Sequence, residues 1–216
     1  MTRIIMIRHG QSEANAQSRF AGHSDFDLTE IGKRQAAIAA DYLYGKEELD
    51  VIYSSDLKRA HNTALPFSQK YGLPINDRTD LRELFAGDWE GRSTREINEI
   101  YADDFRVWRE DFSNARCTGG ESVAELYERI VAAVKSLAEQ NKDKCILIAT
   151  HATPIRAIEA HSRGLSADKI NQVPFVRNAA LNIFEYGDGE IHPVRTDIVD
   201  HLEGELVTGV PRALKA

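Results

Sequence analysis

Apolar residues in this chain fall into a few short continuous runs separated by longer amphipathic stretches. The run RIIMIR at residues 3–8 has four consecutive apolar positions and reads as a strand covered on both faces. LDVIYSS at 49–55 and KCILIAT at 144–150 read the same way. Between them, TEIGKRQAAIAADYLY predicts a helix capped by Thr29. DLKRAHNTALPFSQKYG predicts another, opening on Asp56, stopping at Gly72, and kinked or split at Pro66. ESVAELYERIVAAVKSLAEQN is the clearest helix: Ser122 and Glu125 form a capping box, and Leu126, Ile130, Val134 and Leu137 share one face. A further helix is expected to begin at Pro154, because proline suits a first helical turn. LNIFEYG and EIHPVRT, joined by Asp188-Gly189, predict a hairpin.

Strands alternating with helices predict an α/β fold with a mainly parallel sheet. The chain has 216 residues without an internal repeat, low-complexity tract or linker, and reads as a single domain over 1–216. The formal net charge of −7 argues against a nucleic-acid or anionic-membrane partner. The apolar run near the N-terminus is too short for a secretion signal, and no segment approaches the roughly 20 apolar residues of a membrane span. Cys117 and Cys145 form no CxxC pattern; Cys145 reads as a buried strand thiol and Cys117 as an incidental loop thiol, as expected of a cytoplasmic protein.

In a parallel sheet, ligands gather at the carboxyl ends of the strands. Two of the predicted strands end in histidine there: IIMIRHG in Arg8-His9-Gly10, and CILIATH in His151. Two histidines beside an arginine make a poor metal site, because the fixed positive charge repels a cation. The same group suits a phosphate: arginine offers a planar fork, and a neutral imidazole is a competent nucleophile. Gly10 would let the backbone approach a ligand closely. Arg59, in the first turn of the second predicted helix, can reach the same sheet edge, and Glu83 lies among apolar neighbours before a glycine-rich turn.

Taken in order, RHGQSEAN, FAGHSDFDLTEIGKRQA, SSDLKRAHNTA, LRELFAGDWEG, GGES and ATHATPIR resemble the histidine phosphatase superfamily, also called phosphoglycerate mutase-like. The resemblance implies a three-layer α/β/α sandwich around a mostly parallel sheet, with cap material at about residues 84–120. It implies that His9 is the nucleophile that becomes phosphohistidine, and that Arg8, Arg59 and His151 surround the phosphoryl group. Glu83 would then be the proton donor, and Asn15, the Ala152 amide, Ala21 and Gly22 would line the substrate site. Neither metal nor cofactor is implied.

Where many members have glycine after the second histidine, this chain has Ala152. Ala14 and His23 stand where mutases commonly carry tryptophan. A short chain, a phosphatase-like glutamate motif and a compact stretch from Glu83 to GGES favour hydrolysis of a small phosphomonoester over mutase-type transfer. An intact catalytic set argues against a silent phosphoprotein-binding module. Phe105, Trp108 and Phe112 recur at helical spacing and are expected to pack the cap on the core; the alternative is that one of them, with Arg106 or Arg109, reads the leaving group. His61, two residues after Arg59, points to a different helix face, and His161, His192 and His201 lie outside the matched catalytic motifs, so none of the four is given a catalytic role. The tail HLEGELVTGVPRALKA is expected to wrap on the surface or join an oligomer contact such as a homodimer.

Overall fold

A computed structural model describes residues 1–209. Six strands form one sheet in the order β3-β2-β4-β1-β5-β6. They are β1 (Thr2–Arg8), β2 (Val51–Ser55), β3 (Ile75–Arg78), β4 (Cys145–Thr150), β5 (Leu181–Gly187) and β6 (Glu190–Ile198). The pairs β1–β4, β2–β4 and β2–β3 are parallel, whereas β5 runs antiparallel to both β1 and β6. The helices are α1 (Glu13–Ala16), α2 (Glu30–Leu43), α3 (Lys58–Tyr71), α4 (Thr94–Ile100), α5 (Ala102–Glu110), α6 (Val123–Gln140) and α7 (Ala152–Ser162).

The continuous apolar runs are explained by helices on both faces. Along β1, Ile4 and Met6 pack into a core shared with α6 and α7, while Ile5 and Ile7 pack into a second core shared with α2 and α3. Successive side chains of a strand point to opposite faces, so only a run apolar at every position satisfies both cores. The terminal hairpin turns through Asp188 and Gly189, both with positive φ (54° and 83°). Pro193 lies in β6, at the sheet edge, where a missing N–H costs the ladder least.

The helix boundaries depart from the sequence pattern in two places. Helix α3 starts at Lys58 with no side-chain cap, because the Asp56 carboxylate pairs with the Arg82 guanidinium instead. Helix α7 starts at Ala152, with His151 at its N-cap. Pro154 therefore occupies the third helical position, still within the first turn whose N–H groups need no intrahelical acceptor. Pro66 neither ends nor divides α3; burial of Ala60, Thr63, Ala64 and Phe67 holds the helix together across it. Strand β3, unmarked in the sequence, is four residues of the polar string INDR at the other sheet edge.

The expected cap segment contains α4 and α5. Phe105 is buried, and Trp108 meets Phe20, Trp89 and Phe112 at ring-centroid distances of 5.4, 5.7 and 4.7 Å. These aromatics pack on one another and on the core, as the helical spacing suggests. Of the C-terminal tail, Leu202 and Leu206 are buried in the α2/α3 core; residues 210–216 lie outside the described part.

Gly10 and Gly32 are where the end of β1 meets the start of α2. A Cβ on Gly10 would fall on the Gly32 carbonyl and within 2.9 Å of its Cα, and a Cβ on Gly32 would strike the Gln11 carbonyl. The glycine after His9 is thus required by an approaching backbone within the protein, rather than by a ligand as the sequence suggested. Gly10→Ala is expected to lower stability by about 1–3 kcal/mol, as overpacking typically does, read from the midpoint of chemical denaturation.

Candidate active site

The parallel register of β1 on β4 pairs Arg8 with Thr150, so the next residues, His9 and His151, emerge side by side. The His9 N–H donates to the Thr150 carbonyl at 2.9 Å, and the two imidazoles meet edge to face with centroids 5.2 Å apart. His9 is 4% exposed and His151 0%. The His9 Nδ1 lies 2.7 Å from the Gly10 carbonyl. A carbonyl only accepts, so Nδ1 carries the proton and Nε2 keeps its lone pair. His151 Nε2 is 2.9 Å from Ser55 Oγ at the end of β2, and its buried Nδ1 has no partner among the described residues.

Arg8 is held from behind. Its Nη1 donates to the carbonyls of Val176 (2.7 Å) and Gly209 (3.0 Å), and the Phe175 ring lies 5.1 Å from the guanidinium carbon. Its buried Nε has no partner among the described residues, which leaves one edge of the fork for a ligand. Arg59, in the first turn of α3, donates Nη1 to the Ser24 carbonyl (2.8 Å) and Nη2 to the Gly22 carbonyl (2.7 Å). The 21–24 loop therefore enters the site through its main chain: Ala21 closes a turn by accepting from the Ser24 N–H, and Gly22 has φ +50°.

Burial pushes the pKa of Arg8 down to about 10, with Glu83 opposing that fall and Arg59 adding to it. Arg59 is likewise pushed down to about 10 by burial, with Glu83 again opposing. Burial, then the charges of Arg59 and Arg8, hold His9 well below the ordinary histidine range. His151 is lowered in the same direction, first by burial and then by Arg59. Both rings are therefore neutral at pH 7. The centre carries two cations and two neutral imidazoles, a field suited to an anion.

Glu83 lies across from these groups. Its Oε1 accepts from the Leu84 N–H at 2.9 Å and its Oε2 from the Thr153 N–H at 3.4 Å, in the first turn of α7. The neighbouring Ala152 amide opens that same turn. Asn15 accepts at Oδ1 from the Ser12 N–H (3.2 Å) and from Asn178 Nδ2 (3.1 Å), so its own amide NH2 is the group left to donate. Beside Glu83 is an open cleft of about 430 Å³ whose walls include His23, Phe85 and Arg129. His23 Nε2 donates to the Glu83 carbonyl at 2.9 Å, and its ring rests on Phe85 at 5.1 Å.

The structure thus brings Arg8, His9, Arg59, Glu83 and His151 to one sheet edge, with Asn15 and Ala152 beside them. The other histidines are occupied elsewhere: His61 bonds Asp77, His161 lies against Tyr127, and His201 donates to the Ala179 carbonyl. Ser55, Asn178 and Glu90 were not singled out in the sequence. Glu90 fixes the 22–24 loop by accepting from the His23 N–H (2.7 Å) and Ser24 Oγ (2.8 Å). Asn178 donates to the His9 carbonyl at 3.0 Å as well as to Asn15. Ser55, as the last residue of a predicted strand, and Glu90, inside the motif LRELFAGDWEG, had a visible signal, whereas Asn178 had none.

No helix among the described residues is long and apolar enough to cross a membrane. Phosphoserine phosphatase 1 of Hydrogenobacter thermophilus is 35% identical over 169 residues, 78% of this chain and 80% of that protein. Phosphoglycerate mutase-like protein 4 of Arabidopsis thaliana is 32% identical over 203 residues, 93% of this chain and 86% of that protein. The solved structure of a mycobacterial glucosyl-3-phosphoglycerate phosphatase in complex with VO3 superposes with a TM-score of 0.80 at 32% identity, covering 91% of this chain and 97% of the other. The model of the histidine phosphatase superfamily (branch 1) matches residues 4–198, and the chain belongs to that superfamily.

Proposed function

We propose that this protein hydrolyses a small phosphorylated metabolite through a phosphohistidine intermediate. The observation that carries this reading is the neutral His9, with its lone pair on Nε2, held within electrostatic reach of the buried Arg8 and Arg59 guanidinium groups. His9 Nε2 attacks phosphorus; the N–P bond forms as the ester P–O bond breaks, and Glu83 gives a proton to the leaving oxygen. In the second half, Glu83 takes a proton from water, whose oxygen attacks phosphorus as the N–P bond breaks. Inorganic phosphate is released and His9 is regenerated.

Arg8, through its Nε edge, and Arg59 stabilise the charge that spreads over the equatorial oxygens. Ser55 Oγ holds His151 Nε2 at 2.9 Å, and the unpartnered Nδ1 is the nitrogen left to meet the phosphoryl group. The Asn15 amide and the Ala152 N–H complete the cradle. Fixed cations and dipoles supply the charge that a metal would otherwise bring. Ala21 and Gly22 border the mouth, and the leaving group sits on the Glu83 side. The open cleft of about 430 Å³ is lined by His23, Phe85, Glu121, Glu125 and Arg129 but by none of Arg8, His9, Arg59, Glu83 and His151, so it does not define the leaving-group site. The named relatives that are phosphatases, phosphoserine phosphatase 1 among them, support this substrate class. The two buried free thiols fit a cytoplasmic setting.

Phosphate release from a panel of phosphomonoesters should persist with chelator present and vanish in His9→Ala. Glu83→Gln should slow turnover about 100- to 10000-fold, the usual contribution of a positioned acid–base group. Metal-dependent activity, or activity that survives His9→Ala, would exclude the mechanism.

The same neutral rings make stability depend on pH. His9 and His151 have native pKa values below the ordinary 6.5 of an unfolded chain. Below pH 6.5 the unfolded chain takes up protons that the native site refuses, so stability is full above 6.5 and falls as pH drops. Each ring should contribute up to about 1.4 kcal/mol per pH unit. Thermal melts between pH 7.5 and 5 should show this decline, and a His9→Asn, His151→Asn double variant should show a shallower one.

A further inference from the structure

The chain approaches its C-terminus along the back of the site. After the short 3-10 turn Gly204–Leu206, residues 207–209 run past the ends of β1 and the 175–179 segment. Gln35 on α2 donates to the Leu206 carbonyl (2.7 Å) and to Thr208 Oγ1 (2.8 Å), while its Oε1 accepts from the Gln11 N–H (2.7 Å). Thr208 Oγ1 donates to Asn178 Oδ1 (3.2 Å), and the Thr208 carbonyl accepts from the Asn178 N–H (3.1 Å). Asn178 in turn donates to the His9 carbonyl and to Asn15 Oδ1. One step further along, the Gly209 carbonyl accepts from Arg8 Nη1.

Gly209 has φ +111°, a conformation L side chains rarely adopt, and a Cβ there would lie 2.7 Å from Arg8 Nη1 and 2.5 Å from the Asn178 N. Position 209 thus needs glycine on two grounds: backbone conformation and contact with the guanidinium. The contact lies on the edge of the Arg8 fork opposite to the unpartnered Nε. An arginine buried at 4% exposure, with no carboxylate among its hydrogen-bond partners, takes its orientation from the carbonyls it meets.

We infer that the 206–209 segment is a positioning element: through Gly209 it fixes the Arg8 fork, and through Thr208 and Asn178 it fixes Asn15 and the His9 backbone. Gly209, Thr208 and Asn178 are accordingly positioning residues for the phosphoryl site, although they come from the far end of the sequence. This inference rests on Arg8 binding the phosphoryl group as proposed above.

The test is a double-mutant cycle in the full-length chain. Steady-state kinetics on one phosphomonoester, orthovanadate binding by calorimetry and thermal melts are measured for wild type, Gly209→Ala, Arg8→Ala and the double variant. Gly209→Ala should lower kcat/KM by about 10- to 100-fold, the scale of an ångström-level misplacement of a catalytic group, and weaken orthovanadate in parallel. In the Arg8→Ala background the same change should have a clearly smaller effect on both, the remainder passing through Asn178, whose backbone N a Cβ at 209 would also strike. Thr208→Val, which removes a hydroxyl without adding bulk, should weaken orthovanadate in the same direction by a smaller factor, and it supplies the reading if Gly209→Ala does not fold.

Equal effects of Gly209→Ala with and without Arg8 would overturn the inference, as would wild-type orthovanadate affinity in both Gly209→Ala and Thr208→Val. If Arg8→Ala itself retains wild-type turnover and orthovanadate binding, the role proposed for Arg8 fails and takes this inference with it.

Discussion

Everything at this site depends on keeping two guanidinium groups charged inside the protein without a carboxylate bonded to either. Burying a cation is costly, and the usual remedy is a direct ion pair. Here Arg8 and Arg59 are bonded to main-chain carbonyls instead: Val176 and Gly209 for one, Gly22 and Ser24 for the other. Carbonyl dipoles lower the cost of burial without neutralising the charge, so an attraction for anions is left over. A carboxylate in the same place would have stabilised the empty protein and competed with a phosphate. Glu83 is close enough to act on both guanidinium groups, but its own oxygens are taken up by the Leu84 and Thr153 N–H groups.

The same field governs the imidazoles. His9 and His151 are neutral because burial and the neighbouring arginines disfavour a further positive charge. The proposed mechanism asks for an unprotonated nucleophile and a positive cradle, and the same buried charges serve both. The Gly10 carbonyl then decides which nitrogen of His9 keeps its lone pair. The close seating of Gly10 on Gly32 fixes where that carbonyl lies relative to α2. A backbone contact with no chemistry of its own thus bears on the orientation of the His9 ring.

The parts of this arrangement that were legible in the sequence are those that depend on local pattern. Continuous apolar runs marked β1, β2 and β4, because strands buried on both faces tolerate no alternation. Thr29 and the Ser122/Glu125 box marked helix starts through side-chain caps that form as expected. Arg8, His9 and His151 stood out as polar groups at strand ends, whereas Arg59 and Glu83 gained their significance from the resemblance of their motifs to the histidine phosphatase superfamily. What sequence reading missed depends on pairings between distant segments. Strand β3 is polar and exists because β2 offers it an edge. Asp56 looked like a helix cap, but Arg82, 26 residues away, takes its carboxylate. Gly10 suggested a ligand, because nothing local shows that Gly32 will arrive against it.

Asn178 is the clearest case of chemistry hidden from the sequence. It sits in no regular element, yet it joins the His9 carbonyl, Asn15 and Thr208. Its neighbour Ala179 has φ +53° and donates its N–H to the Arg8 carbonyl at 3.0 Å. A non-glycine residue in that conformation is uncommon and needs support from its surroundings. The support is visible: β5 leaves this turn antiparallel to β1, so the chain must reverse where β1 delivers its arginine and histidine. The antiparallel addition to an otherwise parallel sheet thus places a tight turn beside the end of β1. Its side chains bond the loop above, an arrangement that a helical crossover to a further parallel strand would not supply at that position.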